Sequence, residues 1–317
     1  MTLGNVRDRN AGFATGQEQV WGFSKATGID SKSYFAPGAK IFYVDPNNTQ
    51  ATDAGNLGED PTVPLATVAR AIVLCRDHMG DTIVVGANDA WTFAPNTYRP
   101  IAIIEDVVIP PNKGGIRLVG AGSNPMACTW SPTADSGVAL TIHAVDVLVE
   151  GFNFYTGFAN CIGILAEWDA PTNYGENFTV RNCFFSNALD YGIQMDYSWY
   201  CQIHDNHFDR AQVAAIHDLA VNGDPDYCMI YNNNFMWNAL AINLGTSDRC
   251  FIHGNRIMGD DTGVANYISV TGGECLVSDN WLGCTLAQYA AGGTCLGAVT
   301  DAWVNNHCID GDTVANP

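Results

Sequence analysis

Apolar residues recur at every second position in short runs along most of the chain, and the runs themselves recur. In YGIQMDYSWYCQIHDNHFD, residues 191–209, Ile193 and Met195 flank Gln194, Cys201 and Ile203 flank Gln202, and Phe208 follows a polar corner. Alternation of period two over so few residues predicts three short strands, because an amphipathic helix places apolar residues three and four apart. The segment Cys-x-Ile/Val-x-x-Asn-x-Phe/Ile/Leu then returns as YCQIHDNHFD, YCMIYNNNFM, RCFIHGNRIM and ECLVSDNWLG, its cysteines 27, 22 and 25 residues apart. Such a period marks units that bury their apolar face only by stacking on one another.

One coil therefore reads strand, corner, strand, Asn corner, strand. Along the chain the template places first-strand inward residues at Ile162, Ile193, Ile216, Ile242, Ile268 and Leu296. The second-strand residues are Val149, Val180, Ile203, Ile230, Ile252, Val277 and Trp303, and the third-strand ones Phe154, Phe185, Phe208, Phe235, Ile257, Leu282 and Cys308. Equivalent residues lie one strand spacing apart, about 4.8 Å, so like stacks on like. Cys201, Cys228, Cys250 and Cys275 form a column of small apolar side chains. Asn206, Asn233, Asn255, Asn280 and Asn306 form a ladder, expected to bond corner backbone groups of its own and the next coil, with Asn adopting the left-handed conformation. Thiols pointing one way in a row do not converge as a tetrahedral zinc site requires, so the cysteine column reads as packing.

The Gly/Ala-Ile strand, Cys-x-Ile strand, Asn corner and Phe strand resemble the coils of right-handed parallel β-helix proteins, the pectin-lyase-like superfamily. The resemblance covers roughly residues 80–310 and implies a fold, since that scaffold hosts lyases, hydrolases, adhesins and viral spikes. The expected fold class is all-β, a right-handed parallel β-helix of about eleven coils, roughly 50 Å long at the strand spacing. An N-terminal arm over 1–40 precedes a single domain over 41–317, with a capping α-helix near 64–77. In that helix Leu65, Val68, Ala69, Ile72, Val73 and Cys75 give an apolar face able to plug the open end of the coil. Phe13, Trp21, Phe23, Tyr34 and Phe35 in the arm suit docking on a neighbouring subunit or a shell.

Between the first strand and the helix, the loop residues Asp45, Asn47, Asn48, Asp53, Asn56 and Asp60 include a weak Ca²⁺ candidate, Asp45, Asn47 and Asp53. Their spacing departs from an EF-hand, and solvated turns are the expected reading. The order YVDPNN, PLATVARAI, GDTIVVG, GIRLVGAG resembles the opening of β-helix proteins of tailed-bacteriophage virions. It implies a virion component of the tailspike, fibre or capsid-decoration type, surface-exposed and assembled in the host cytoplasm, with capsid or tail proteins as partners through the N-terminal arm. The chain's last coil ends in CIDGDTVANP, which is expected to leave no separate trimerisation or receptor domain.

Charge narrows the partners. The 317 residues carry a net charge of −19 with only 15% charged residues. From Val145 onward there are 20 Asp and Glu against four Arg (Arg181, Arg210, Arg249, Arg256) and no Lys. A nucleic-acid partner needs a basic stripe and is not expected, and a polyanion lyase is disfavoured, because with no Lys its base would have to be one of these four Arg on an acidic shaft. Neither a signal peptide nor a membrane span is expected, and eleven cysteines, an odd number, read as buried reduced thiols.

Outward strand positions are where chemistry would sit. Gln194, His217, Asn243 and Ser269 form one column with Asp196 and Asp218 at its edge. The expectation is no catalytic site, but were the chain a glycoside hydrolase, Asp196 and Asp218 with His217 would be its carboxylate pair and helper. His204, Tyr231 and His253 form a second outward column, read as stacked surface residues. Trp199 and Tyr200 are the residues a non-catalytic module would offer to a host surface glycan. Thr179, Gln202, Met229, Phe251 and Leu276 form a stripe that turns apolar over three adjacent coils, the mark of a subunit contact, and a homotrimer is expected.

Overall fold

The computed structural model describes residues 38–86, 103–122, 125–167, 175–186, 189–219, 223–259, 266–290, 295–297, 299–311 and 313–314. The arm and its five aromatics lie almost wholly outside them.

Three sheets wrap one interior, a right-handed parallel β-helix. Among the described residues, and in the order each regular coil visits them, the first sheet has eight strands, from Val107–Ile109 to Cys295–Gly297. The second has ten, from Ile41–Val44 to Ala302–Val304, and the third also ten, from Ile103–Ile104 to Thr313–Val314. All strand pairs are parallel except the last, where Thr313–Val314 folds back antiparallel on Asn306–Cys308. Ten rungs span nine spacings, roughly 43 Å.

The second-strand residues pair in unbroken register from Val149 through Val180, Ile203, Ile230, Ile252 and Val277 to Trp303. The third-strand residues do the same from Phe154 to Cys308. In-register pairing places aromatic rings at the strand spacing, so Phe154, Phe185, Phe208 and Phe235 stack with centroids 5.1, 4.7 and 4.9 Å apart. These rings reach the first sheet beside Gly192, where a side chain has no room. A Cβ on Gly192 would come within 2.9 Å of the Phe208 ring and within 2.6 Å of the Ala215 carbonyl.

The first sheet corrects two readings. Ile164, not Ile162, pairs with Ile193, and Cys295, not Leu296, pairs with Ile268. The register against the next strand shifts between Cys161 and Ile162, and Gly163 and Ile164 beyond it are both buried, so simple alternation fails here. Leu296 pairs with Ser269 on the outward column and is 48% exposed.

The Asn ladder forms, each side chain bonding backbone groups of the preceding coil rather than of its own and the next, and each amide linking on to the Asn of the next coil. Asn233 Oδ1 accepts from the backbone N–H and the Nδ2 of Asn206 (3.0 and 3.1 Å), while its Nδ2 donates to Ile203 O (2.8 Å) and to Asn255 Oδ1 (3.1 Å). Asn206, Asn255 and Asn280 repeat the pattern, and all are buried. The left-handed residue is the one before each ladder Asn: Asp205, Asn232, Gly254, Asp279 and Asn305 all have φ between 54° and 64°. The column cysteines are buried and donate their thiols to backbone carbonyls, Cys201 to Trp199 O (3.3 Å) and Cys228 to Ser198 O (3.3 Å).

Helix α1 (Val68–Leu74) closes the N-terminal end, with Val68, Ala71 and Ile72 buried. Ala69 and Val73, expected on the apolar face, are exposed, because a helix starting at Val68 turns 68, 71, 72 and 75 to one side. Thr67 caps it through Arg70 N–H, and Glu105 accepts from the N–H groups of Val68 and Ala69 (3.0 and 3.1 Å). A five-residue helix α2 (Leu286–Ala290) lies near the other end, where Tyr289 packs on the core.

Removing one rung of the ladder strands a buried N–H and a buried C=O. Asn233→Ala is expected to lower stability by about 3 kcal/mol, read from the urea midpoint.

Candidate interaction face

In each strand of the second sheet the inward residue is flanked by two outward ones, and pairing lines these up into two columns. The first runs Thr179, Gln202, Met229, Phe251, Leu276, Ala302; the second runs Arg181, His204, Tyr231, His253, Ser278, Val304. The expected stripe is thus in register. Across these six strands no outward residue is a carboxylate, in a chain with 33 Asp and Glu. Met229, Leu276 and Val304 are 38%, 36% and 45% exposed.

Rings stiffen this face. His204 stacks on Tyr231 at 4.6 Å and Tyr231 on His253 at 5.3 Å, so the second column is a pile of flat rings. His204 Nδ1 also meets Asp205 Oδ2 at 2.7 Å. At the corner leading into the sheet, Tyr200, Tyr227, Arg249 and Glu274 occupy equivalent positions, all with φ between 55° and 58°. Tyr200 stacks on Tyr227 at 5.2 Å, Arg249 lies over the Tyr227 ring, and its Nε donates to Glu274 Oε2 (2.7 Å). The surface is apolar and aromatic at its centre, with charged groups at its edge. Of the glycan candidates, Tyr200 is exposed and Trp199 half-buried, tilted against Tyr197 at 5.0 Å.

At its N-terminal end Glu150 faces Arg181 Nη2 (3.1 Å) and Asn182 Nδ2 (2.9 Å). Burial pushes the Glu150 carboxyl up to about 7.

The first-sheet column Gln194, His217, Asn243, Ser269 is also in register. Asp218, however, pairs with Met195 rather than standing beside Asp196. Both aspartates are buried, at 2% and 5% exposure, with Ser247 Oγ donating to Asp218 Oδ2 at 3.4 Å. Alternation turns Asp218 inward and His217 outward, where its ring stacks on Tyr191 (4.8 Å) and meets the Asn243 amide (3.1 Å). The structure therefore brings His217 together with Tyr191 and Asn243, and sets Asp218 on the opposite face of the strand.

The loop candidates serve as local acceptors. Asp53 Oδ1 accepts from Ala66 N–H (2.8 Å) and Oδ2 from the Thr67 hydroxyl (2.7 Å), steadying the start of α1. Asp45 Oδ1 accepts from Asn47 N–H (3.1 Å) in an Asx turn, and Asn47 is exposed. Among the described residues no group of three or more His, Cys, Asp or Glu is placed to hold a metal ion, and no helix is long and apolar enough to cross a membrane.

The family model described as periplasmic copper-binding protein (NosD) matches residues 170–282, about a third of the chain and its most regular coils. No curated protein matches. Among solved structures, a rice weevil pectin methyl esterase is similar at 10% identity with a TM-score of 0.44, over 96% of this chain and 90% of that one. A Geobacillus virus E2 protein, ORF18, is similar at 13% identity with a TM-score of 0.24, over 73% of this chain and 55% of that one.

Burial holds the His207 and His217 imidazoles below the ordinary value of about 6.5. The unfolded chain then takes up protons first as pH falls through about 6.5, so the stability these neutral rings contribute is present above that pH and lost below it. A double variant, His207→Asn with His217→Asn, is expected to lose less stability between pH 7 and pH 5 than the wild type in paired urea titrations.

Proposed function

We propose that this chain is a structural virion protein of a tailed bacteriophage, of the capsid-decoration or fibre type, assembling as a homotrimer through the outward face of its second sheet. The observation that carries the assembly is the absence of carboxylates over six consecutive strands of that face. Copies with a net charge of −19 repel one another, and the approach is least opposed where negative side chains are missing and Tyr227, Met229, Phe251 and Leu276 offer apolar area. The occupant is a second and third copy of the same chain, since a closed ring is the ordinary way for one face to be covered. The virion role rests on the resemblance of residues 41–120 to phage β-helix openings, and attachment to capsid or tail falls to the N-terminal arm.

Light scattering of the purified protein should give the mass of three chains. Met229→Asp with Leu276→Asp should give the mass of one chain with an unchanged circular dichroism spectrum. A wild type that stays monomeric at tens of micromolar, or a variant that stays trimeric, removes this interface. Mass spectrometry of purified particles should find the chain in stoichiometric amount, and its absence removes the virion role.

The second reading is a glycoside hydrolase on the same scaffold, favoured by the burial of Asp196 and Asp218 on adjacent coils. A reducing-sugar assay on host capsule or lipopolysaccharide separates the two. The structural reading expects no release, and release by wild type that is lost in Asp196→Ala with Asp218→Ala would establish the enzyme.

A further inference from the structure

The four column cysteines donate to backbone carbonyls and also neighbour one another along the column, and a separate pair outside it meets sulfur to sulfur near the end of the coil. Cys284 Sγ and Cys308 Sγ are 3.9 Å apart, both buried, on the last two coils of the solenoid. Cys308 ends the third-strand inward column, paired with Leu282, and Cys284 lies two residues beyond Leu282. Their backbones are already tied, because Ile309 N–H donates to Cys284 O at 2.9 Å. A disulfide needs sulfurs about 2 Å apart and Cα atoms within about 7 Å. Turning the two Cβ–Sγ bonds toward each other then requires little movement of a backbone that is hydrogen-bonded at that point.

We propose that Cys284 and Cys308 are an oxidisable pair, closed to a disulfide by a low-molecular-weight disulfide of the glutathione class. In the first step one cysteine, as thiolate, attacks a sulfur of oxidised glutathione, forming a mixed disulfide and expelling one glutathione thiolate. In the second, the other cysteine attacks the protein sulfur of that mixed disulfide and expels the second glutathione. Two protein thiols are oxidised, one small disulfide is reduced, and the two protons released by the cysteines pass to the two glutathione thiolates.

Burial pushes the Cys284 thiol up to about 12 and disfavours its thiolate in the closed coil, so attack proceeds from brief local openings around the pair. The pair is thus slow to close. Once closed, the bond joins residues 24 apart and restrains the last coil and its antiparallel return strand. A chain made in reducing surroundings would acquire the bond on passing into oxidising ones. This inference does not depend on the virion reading.

Protein prepared under a reductant and then equilibrated with oxidised glutathione should lose two of its eleven titratable thiols, counted after unfolding in acid-quenched guanidinium. The intact mass should fall by two hydrogen atoms, and digestion should yield one peptide joining Cys284 to Cys308. Amide exchange over 284–314 should slow about tenfold. Cys284→Ser and Cys308→Ser should each retain their ten thiols. Eleven thiols remaining in the wild type, a stable glutathione adduct, or a disulfide linking another pair such as Cys295 with Cys308 would overturn the proposal.

Discussion

Backbone hydrogen bonding between parallel strands fixes the coil-to-coil distance at about 4.8 Å, and every column of side chains has to live with that spacing. Phenyl rings accept it as face-to-face stacks, which is why Phe154, Phe185, Phe208 and Phe235 run with interplanar angles of 12° or less. Asparagine accepts it because one amide has both a donor and an acceptor, so an identical residue above and below completes a chain in which each amide satisfies the backbone of its predecessor. A serine or a leucine in one rung would leave its neighbours' polar groups stranded inside. The ladder, more than the apolar filling, explains why the repeat keeps Asn206, Asn233, Asn255, Asn280 and Asn306 while its inward aliphatic positions drift between Ile, Val and Leu.

The corners carry the other half of the constraint. Each coil must turn sharply where no helix fits, and a single residue with positive φ does it. Asp, Asn and Gly take that conformation readily at the corner before the ladder. At the corner before the cysteine column the residues are Tyr200, Tyr227, Arg249 and Glu274, for which it is unfavourable. Their long side chains leave the turn outward, and the spacing that stacks the core also stacks them, ring on ring and guanidinium on ring. The strain at the turn is offset by contacts that exist only because the same corner recurs one coil away.

Legibility in the sequence followed from how strictly each column alternates. The second and third inward columns were readable to their last members, Trp303 and Cys308, because a three-residue strand between fixed corners leaves the alternation no room to slip. The first column failed at Ile162, where the register shifts beside it and Gly163 and Ile164 are both buried, and at Leu296, where pairing puts Cys295 in line with Ile268. The candidate acid pair was obscured because counting along the strand puts Asp196 and Asp218 near one column's edge, whereas register sets Asp218 beside Met195 and turns it inward. The cysteine column was legible because it repeats. Cys284 falls outside the repeat, and only the fold brings its sulfur to Cys308.

A solenoid of this kind separates what holds it together from what it does. Inward columns are uniform because each residue must match its neighbours at one spacing, so they carry no information about partners. Outward columns are free of that demand, and their residues change from coil to coil. The second sheet shows this over six strands, with Tyr, His, Phe, Met and Leu outward and no carboxylate among them. Residues that face outward are not fixed by the core, so it is among them that any information about partners lies.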